Sequence, residues 1–107
     1  MNQRYDVVVV GAGVAGVCAA VTAARLKRRT LLLEQEAEPG GTVSAALHQY
    51  ICGLFANDPD RPFTLLNEGL VREIVDALDA AACNEPRTVI GKVEVYGCDR
   101  LSLIGVL

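Results

Sequence analysis

The sequence predicts an α/β fold built on a Rossmann-type parallel sheet, in which a β-α-β unit would bind a dinucleotide. Three observations lead to this prediction: an apolar run, a glycine-rich turn directly after it, and a second apolar run that ends in an acidic residue. Continuous apolar runs are typical of parallel strands, which are buried on both faces. We therefore expect an incomplete FAD/NAD(P)-binding domain over residues 1–107, with its dinucleotide-binding core in residues 1–42 and a less regular helix and strand region in residues 43–107.

The first strand is predicted over residues 5–10, where Tyr-Asp precedes four valines. From Gly13 to about Leu26 the residues are small and helix-tolerant, and the segment ends in basic side chains, which suit the carboxyl end of a helix. The run from Thr30 to Glu34 is the next apolar segment. Two parallel strands should therefore flank one helix.

The later elements are less regular in sequence. A turn-rich loop is expected at residues 38–42 and a surface loop at residues 57–62, and the stretch between them is left unassigned. Residues 68–82 repeat apolar side chains at helical spacing, which predicts an amphipathic helix capped by Asn67 or Thr64. Residues 87–107 cluster Val, Ile, Tyr and Leu around glycines, which predicts two short strands with a turn near residues 97–100.

The composition and the charge of the chain make several classes of binding partner unexpected. The formal net charge is -3 and the pI is near 5.0, with no extended basic face, so nucleic acid is not expected. The 18 residues from Val7 to Ala24 carry no charge. Three glycines interrupt them, however, and the basic cluster follows rather than precedes, so neither a membrane span nor a signal peptide is expected. Four cysteines without a C-x-x-C pair and a single histidine indicate reduced thiols, no metal site and a cytoplasmic location.

The glycine-rich turn matches the G-x-G-x-x-G fingerprint of dinucleotide-binding domains. In such a turn the first glycine allows the tight bend, the second lets the backbone approach the diphosphate, and the third lets helix and strand pack closely. The diphosphate would then bind to free N–H groups at the positive end of the helix. The predicted site is the whole turn, which comprises Gly11, Ala12, Gly13, Val14, Ala15 and Gly16.

The acidic residue that ends the second run is Glu34, which stands 23 residues after Gly11. Its carboxylate would accept hydrogen bonds from both ribose hydroxyls of an adenosine and would repel a 2′-phosphate, which disfavours NADP. The alternative is an ordinary strand-to-helix turn with Glu34 as a solvated strand end. We favour the dinucleotide site because strand, glycines, helix, strand and acid occur in register.

The fingerprint, followed by Leu33-Glu34 and then by Gly40, Gly41 and Thr42, resembles the opening of the FAD-dependent oxidoreductases that begin with a Rossmann unit. The resemblance covers residues 5–42. It implies FAD as the cofactor, with Gly40, Gly41 and Thr42 bringing backbone close to the flavin end. It also implies hydride or electron transfer on a small-molecule substrate, which stays unidentified. A plain turn after Pro39 is the alternative for the glycine doublet.

Two further residues invite comparison with this family. Some relatives attach the flavin to a histidine shortly after this region, but the residues around His48 lack the surrounding pattern, so a structural histidine is expected. Relatives that reduce disulfides carry a cysteine pair here, whereas Cys52 has no second cysteine nearby. No catalytic residue emerges, which suits a flavoenzyme because the cofactor carries the electron transfer.

Two other functions stay open at the level of sequence. An NAD-binding dehydrogenase domain would share the first 34 residues but would give the glycine doublet no special role. A non-catalytic subunit that completes a partner's cofactor site is favoured by the apolar residues 103–107. Because a substrate domain does not fit in 107 residues, we expect either a missing C-terminal part of the same enzyme or a protein partner.

Overall fold

The computed structural model describes residues 2–46, 50–81 and 87–107. The chain divides into two compact units, which are Met1–Ala46 together with Leu107, and Leu47–Val106. The first unit contains a two-stranded sheet and the second a three-stranded sheet. The expectation that residues 1–107 form the first part of one dinucleotide-binding domain stays a prediction.

The first unit is the expected β-α-β unit. Its elements are β1 (Val7–Val10), α1 (Val14–Arg25) and β2 (Thr30–Leu33). The two strands pair in parallel, and Val10 at the end of β1 lies opposite Leu33 at the end of β2. The predicted order of strand, helix and strand is therefore confirmed, together with the parallel pairing.

Helix α1 packs tightly against this sheet, and Val17 and Ala20 are its buried residues. The closest approach is at Gly16, where a Cβ would lie 1.8 Å from the carbonyl oxygen of Gly11 and 3.5 Å from the side chain of Val9. Any side chain at this position would force the helix away from the turn. This geometry gives Gly16 the packing role that the fingerprint assigns to it.

The opposite face of the sheet departs from the prediction. The sequence predicts burial of β1 on both faces, whereas the structure leaves Val8 52% exposed and Val10 81% exposed. Leu33, the register partner of Val10, is 46% exposed. The physical reason is that α1 covers one face, and no other described element of this unit makes a second layer.

A short helix, α2 (Thr42–Ala45), begins directly after the glycine doublet. Ser44 in this helix is buried, and its hydroxyl donates to the carbonyl of Pro39 at 2.9 Å. The sequence predicts a loop up to residue 42 and assigns nothing beyond it. A single helical turn has too few residues to show a periodic apolar pattern, which explains why the helix was not predicted.

The second unit contains an antiparallel sheet in the order β3-β5-β4, with two helices. Its elements are β3 (Tyr50–Ile51), α3 (Leu70–Ala80), β4 (Arg87–Ile90), β5 (Val93–Gly97) and α4 (Arg100–Val106). The predicted amphipathic helix is confirmed by α3. The core of the unit consists of side chains that are at most 2% exposed, namely Phe55, Val75, Leu78, Val95, Tyr96 and Leu103.

A polar cluster links α3 to the antiparallel sheet. The carboxylate of Asp79 accepts a hydrogen bond from the Tyr96 hydroxyl at 2.7 Å and two from the Arg87 guanidinium at 2.9 and 3.1 Å. Partial burial acts to raise the pKa of Asp79. The hydrogen bonds from Arg87 and Tyr96 together outweigh it, so the pKa lies below its ordinary value.

The predicted position of the C-terminal turn is wrong. The two strands are present, but they join at Gly91, and a helix begins at residue 100 where the turn was expected. Gly91 has a φ of +63°, which suits the first central position of a two-residue hairpin turn. Asp99 starts α4 as its N-cap, since its carboxylate accepts a hydrogen bond from the backbone N–H of Ser102 at 2.9 Å.

The predicted cap of α3 is also wrong. The helix begins after Gly69, whose φ is +72°, and it has no side-chain cap. Thr64 instead donates its hydroxyl hydrogen bond to the carbonyl of Arg61 at 2.9 Å. Two residues separate Asn67 from the first helical residue, Leu70, so a cap at Asn67 would need a helix that starts earlier than the one observed.

Candidate functional site

The turn between β1 and α1 is the centre of the candidate site. Gly11 adopts a φ of +99°, a conformation that glycine occupies readily and other residues do not. Its N–H donates to the carbonyl of Leu33 at 2.7 Å, which ties the turn to the end of β2. The turn therefore lies at the carboxyl ends of both parallel strands, where ligands bind in α/β sheets of this type.

The start of α1 combines open space with backbone hydrogen-bond donors. A Cβ on Gly13 would find no atom within 4 Å. The helix has neither a side-chain cap nor an acidic residue in its first turn. The N–H groups of residues 14–16, which include Val14 and Ala15, have no acceptor within the helix, because the first three N–H groups never do. An anion is favoured at this position.

Glu34 follows β2 directly, and its carboxylate reaches the turn. Oε2 accepts a hydrogen bond from the N–H of Ala12 at 2.6 Å, and Oε1 accepts from the N–H groups of Gln35 at 2.8 Å and Glu36 at 3.0 Å. The bonds from Glu36, Ala12 and Gln35 hold the pKa of the Glu34 carboxyl below its ordinary value, against a smaller opposing effect of burial. The side chain is thus a fixed negative charge beside the turn at neutral pH.

The glycine doublet packs against this turn. The N–H of Gly40 donates to the carbonyl of Ala12 at 2.7 Å. A Cβ on Gly41 would lie 3.1 Å from the Cα of Gly13, and Gly41 itself has a φ of +54°. The family resemblance implies that the doublet brings backbone close to a flavin, whereas the observed steric constraint is close contact between two stretches of the protein's own backbone.

Gly40 has a second constraint of its own. Its φ is +111°, and a Cβ there would lie 2.6 Å from the hydroxyl of Ser44. Thr42, the third residue of the predicted flavin contact, is exposed and opens α2. The contacts within the chain neither require nor exclude a flavin beside residues 40–42, so that role stays a prediction.

A cavity of about 470 Å³ lies at the ends of β1 and β2. It is lined by Val10, Gly11, Leu33, Glu34 and Gln35. This volume falls in the range of small-molecule sites, which are mostly apolar with a few placed polar groups. The sequence predicted Gly11 and Glu34 as site residues and missed the other three, because Val10 and Leu33 were assigned to buried strand positions and Gln35 carries no motif.

Two further residues with possible chemistry cannot be placed. His48 and Cys83 lie outside the described residues. Cys18 on α1 and Cys52 in the second unit are free thiols. Cys52 lines a cavity of about 350 Å³ whose other walls are apolar apart from the Tyr50 hydroxyl. Across residues 2–46, 50–81 and 87–107, no three side chains of the metal-binding types come together.

The helices among the described residues are short. None of them combines the length and the apolar character that a membrane crossing needs. The uncharged run from Val7 to Ala24 is divided in the structure between β1, the turn and α1.

Known proteins resemble this chain over most of its length. A family model described as FAD dependent oxidoreductase matches residues 6–100. The soluble pyridine nucleotide transhydrogenase of Marinomonas sp. (strain MWYL1) is 29% identical over 109 aligned residues, which cover 95% of this chain and 24% of that protein. No solved structure gave a significant match.

Shorter matches concentrate on part of the chain. Dihydrolipoyl dehydrogenase of Chlamydia pneumoniae is 52% identical over 42 residues, which are 39% of this chain and 9% of that protein. Sarcosine oxidase subunit alpha of Corynebacterium sp. (strain U-96) is 47% identical over 56 residues, which are 52% of this chain and 6% of that protein. The chain thus spans at most about a quarter of the length of these relatives.

Proposed function

The chain belongs to the FAD dependent oxidoreductase family, and on that premise we propose that residues 11–16 and Glu34 bind the ADP half of FAD. The observation that carries the proposal is the junction at the carboxyl ends of β1 and β2. There the Glu34 carboxylate lies 2.6 Å from the N–H of Ala12, beside the open position at Gly13. A carboxylate that could bind a ribose therefore lies next to a turn that could bind a diphosphate.

The diphosphate would occupy the space in front of Gly13. The N–H groups of Val14, Ala15 and Gly16 supply hydrogen-bond donors there, and the helix dipole adds a favourable field. The missing side chain of Gly13 supports this assignment, because the backbone can approach an anion at that point without a Cβ in the way.

The adenosine would occupy the cavity at the strand ends. Glu34 would accept from the ribose through Oε2, because the N–H groups of Gln35 and Glu36 use the acceptor sites of Oε1 and Ala12 uses only one of the two on Oε2. The exposed side chains of Val10 and Leu33 give the same cavity apolar walls. The negative charge of Glu34 disfavours a 2′-phosphate, which supports FAD over an NADP-type cofactor.

The reaction proposed for the complete protein is hydride or electron exchange with a small-molecule substrate. Bound flavin supplies that redox chemistry, and the protein contributes placement and exclusion of water. Gly40, Gly41 and Thr42 would lie toward the flavin end, a proposal supported by the close approach of Gly41 to Gly13 and by the hydrogen bond from Gly40 to Ala12.

We also propose that further protein completes the site, either a later part of the same enzyme or a partner. The exposed apolar side chains of Val8, Val10 and Leu33 support this, as does the name of the sarcosine oxidase relative, which is a subunit. A cytoplasmic location is proposed from the cysteine pattern of the sequence.

The test is the flavin content of the natural protein that contains this chain. After purification and denaturation, we expect about one released FAD per chain from the wild type and none from Gly13→Val, whose side chain would fill the diphosphate space. Gly105→Val is the matched control, since a Cβ there also meets no atom within 4 Å but lies in the second unit. Equal flavin content in all three proteins would refute the assignment of the turn.

A further inference from the structure

The backbone N–H and the backbone carbonyl of Ala12 both form hydrogen bonds with residues outside the turn. The N–H donates to Glu34 Oε2 at 2.6 Å, and the carbonyl accepts from the N–H of Gly40 at 2.7 Å. Ala12 itself is only 3% exposed. The residue before it, Gly11, donates to the carbonyl of Leu33. The hydrogen bonds of Gly11 and Ala12 therefore connect the turn to the end of β2, to Glu34 and to the glycine doublet.

Among these described contacts of Gly11 and Ala12, two of the three groups that fix the turn from outside are backbone atoms, the carbonyl of Leu33 and the N–H of Gly40. The exception is the carboxylate of Glu34. Its other oxygen is in turn oriented by the N–H groups of Gln35 and Glu36, so the side chain reaches the turn in a single held conformation. Replacement of Glu34 by a side chain without an acceptor oxygen would release the Ala12 N–H.

We infer that Glu34 is a positioning residue for the diphosphate turn, in addition to its direct contact with the ribose. This inference rests on the proposed function, because it concerns the same cofactor. The carboxylate holds Ala12 so that the N–H groups that follow, from Gly13 to Gly16, keep the arrangement in which they meet an anion together.

Electrostatics alone makes the opposite prediction. A carboxylate close to an anion site repels the anion, so removal of its charge should tighten the binding of a diphosphate that lacks any ribose. If Glu34 acts by holding the turn in place, removal of its acceptor oxygens should weaken diphosphate binding. The N–H groups of the turn would then become ordered only when the diphosphate binds, and that ordering costs free energy. The sign of the change separates the two roles.

The test uses inorganic pyrophosphate and adenosine as separate probes of the 107-residue chain, with binding followed by the amide resonances of residues 11–16. We expect Glu34→Ala to weaken pyrophosphate binding by roughly fivefold, the scale of one hydrogen bond. Glu34→Gln keeps one acceptor oxygen for Ala12, with its NH2 then facing the N–H groups of Gln35 and Glu36, and it should bind pyrophosphate more tightly than Glu34→Ala. Glu36→Ala removes a nearby charge without removing that acceptor, and it should behave like Glu34→Gln.

A second readout needs no ligand. The Ala12 amide should be protected from hydrogen exchange in the wild type and in Glu34→Gln, and exposed to exchange in Glu34→Ala, while the amides of α3 stay unchanged as a check on folding. Tighter pyrophosphate binding by Glu34→Ala, or undiminished protection of Ala12, would overturn the inference, while about one FAD per chain in the natural protein leaves the proposed function standing. Absence of pyrophosphate binding by the wild-type 107-residue chain, together with absence of FAD from the natural protein, would overturn both.

Discussion

At the scale of single residues, Glu34 is expected to govern affinity for the cofactor. Replacement by Gln removes the charge that strengthens hydrogen bonds to the ribose hydroxyls. We expect the dissociation constant for FAD to rise roughly tenfold to a hundredfold, which corresponds to the loss of charge-assisted hydrogen bonds. Fluorescence titration of FAD into wild type and Glu34→Gln measures this change, and identical constants would remove Glu34 from the site.

The same carboxylate predicts a dependence of stability on pH. The folded-state pKa of Glu34 is lowered by hydrogen bonds from Glu36, Ala12 and Gln35. A lowered pKa means that the stabilisation is present above the unfolded value of about 4.3 and is lost as the pH falls through the folded value. Glu68, Asp79 and Asp99 also have lowered pKa values and act in the same direction.

The contribution of Glu34 is therefore obtained by difference. Urea unfolding of wild type and Glu34→Gln at neutral and at acid pH should show a stability gap that shrinks as the pH is lowered. The other three carboxylates affect both proteins equally and cancel. A gap that stays constant through the acid range would contradict the assignment of a charged acceptor at the turn.

At the scale of elements, the buried face of α3 holds the second unit together. Leu78 is 0% exposed, so Leu78→Ala should lower the free energy of unfolding by about 2–5 kcal/mol, the range for a cavity of that size in a packed core. Leu66→Ala is the control, because Leu66 is 56% exposed and its loss should change stability little. Comparable destabilisation by both variants in denaturant unfolding would contradict the observed packing.

The elements that sequence reasoning predicted are those with long, regular patterns. Three patterns predict their elements correctly, namely the valine run of β1, the small residues of α1 and the apolar spacing of α3. The hairpin turn at Gly91 and the cap at Asp99 were missed because each depends on one residue. Val93 to Gly97 and residues 100–106 are apolar alike, so composition alone did not separate a strand from a helix there.

The residues of the candidate site could also be predicted only in part from the sequence. Gly11, Gly16 and Glu34 could be placed from the sequence, because their spacing reflects the length of one strand and one helix. The contact between Gly41 and Gly13, and the bond from Ala12 to Glu34, involve backbone atoms of segments far apart in the chain. No residue type encodes such contacts, so only the structure shows them.

At the scale of the whole molecule, the uncovered sheet face sets an expectation for the isolated chain. Val8, Val10 and Leu33 leave an apolar surface on the first unit, and such surfaces favour association. We expect the 107-residue chain to keep less than one FAD per chain after desalting, because a flavin would lack most of its pocket. It should also elute earlier in size-exclusion chromatography as its concentration rises. A yellow monomer with one FAD per chain would show instead a complete flavin-binding domain.

The central claim, that the turn and Glu34 bind the ADP half of FAD, is tested most directly by titrating the isotope-labelled 107-residue chain with ADP and following the amide resonances. The account predicts saturable shifts at residues 11–16 and 34–36, which are weaker in Gly13→Val. Shifts confined to the second cavity, around Tyr50, Cys52 and Val93, or no shifts at the turn at saturating ADP, would contradict it.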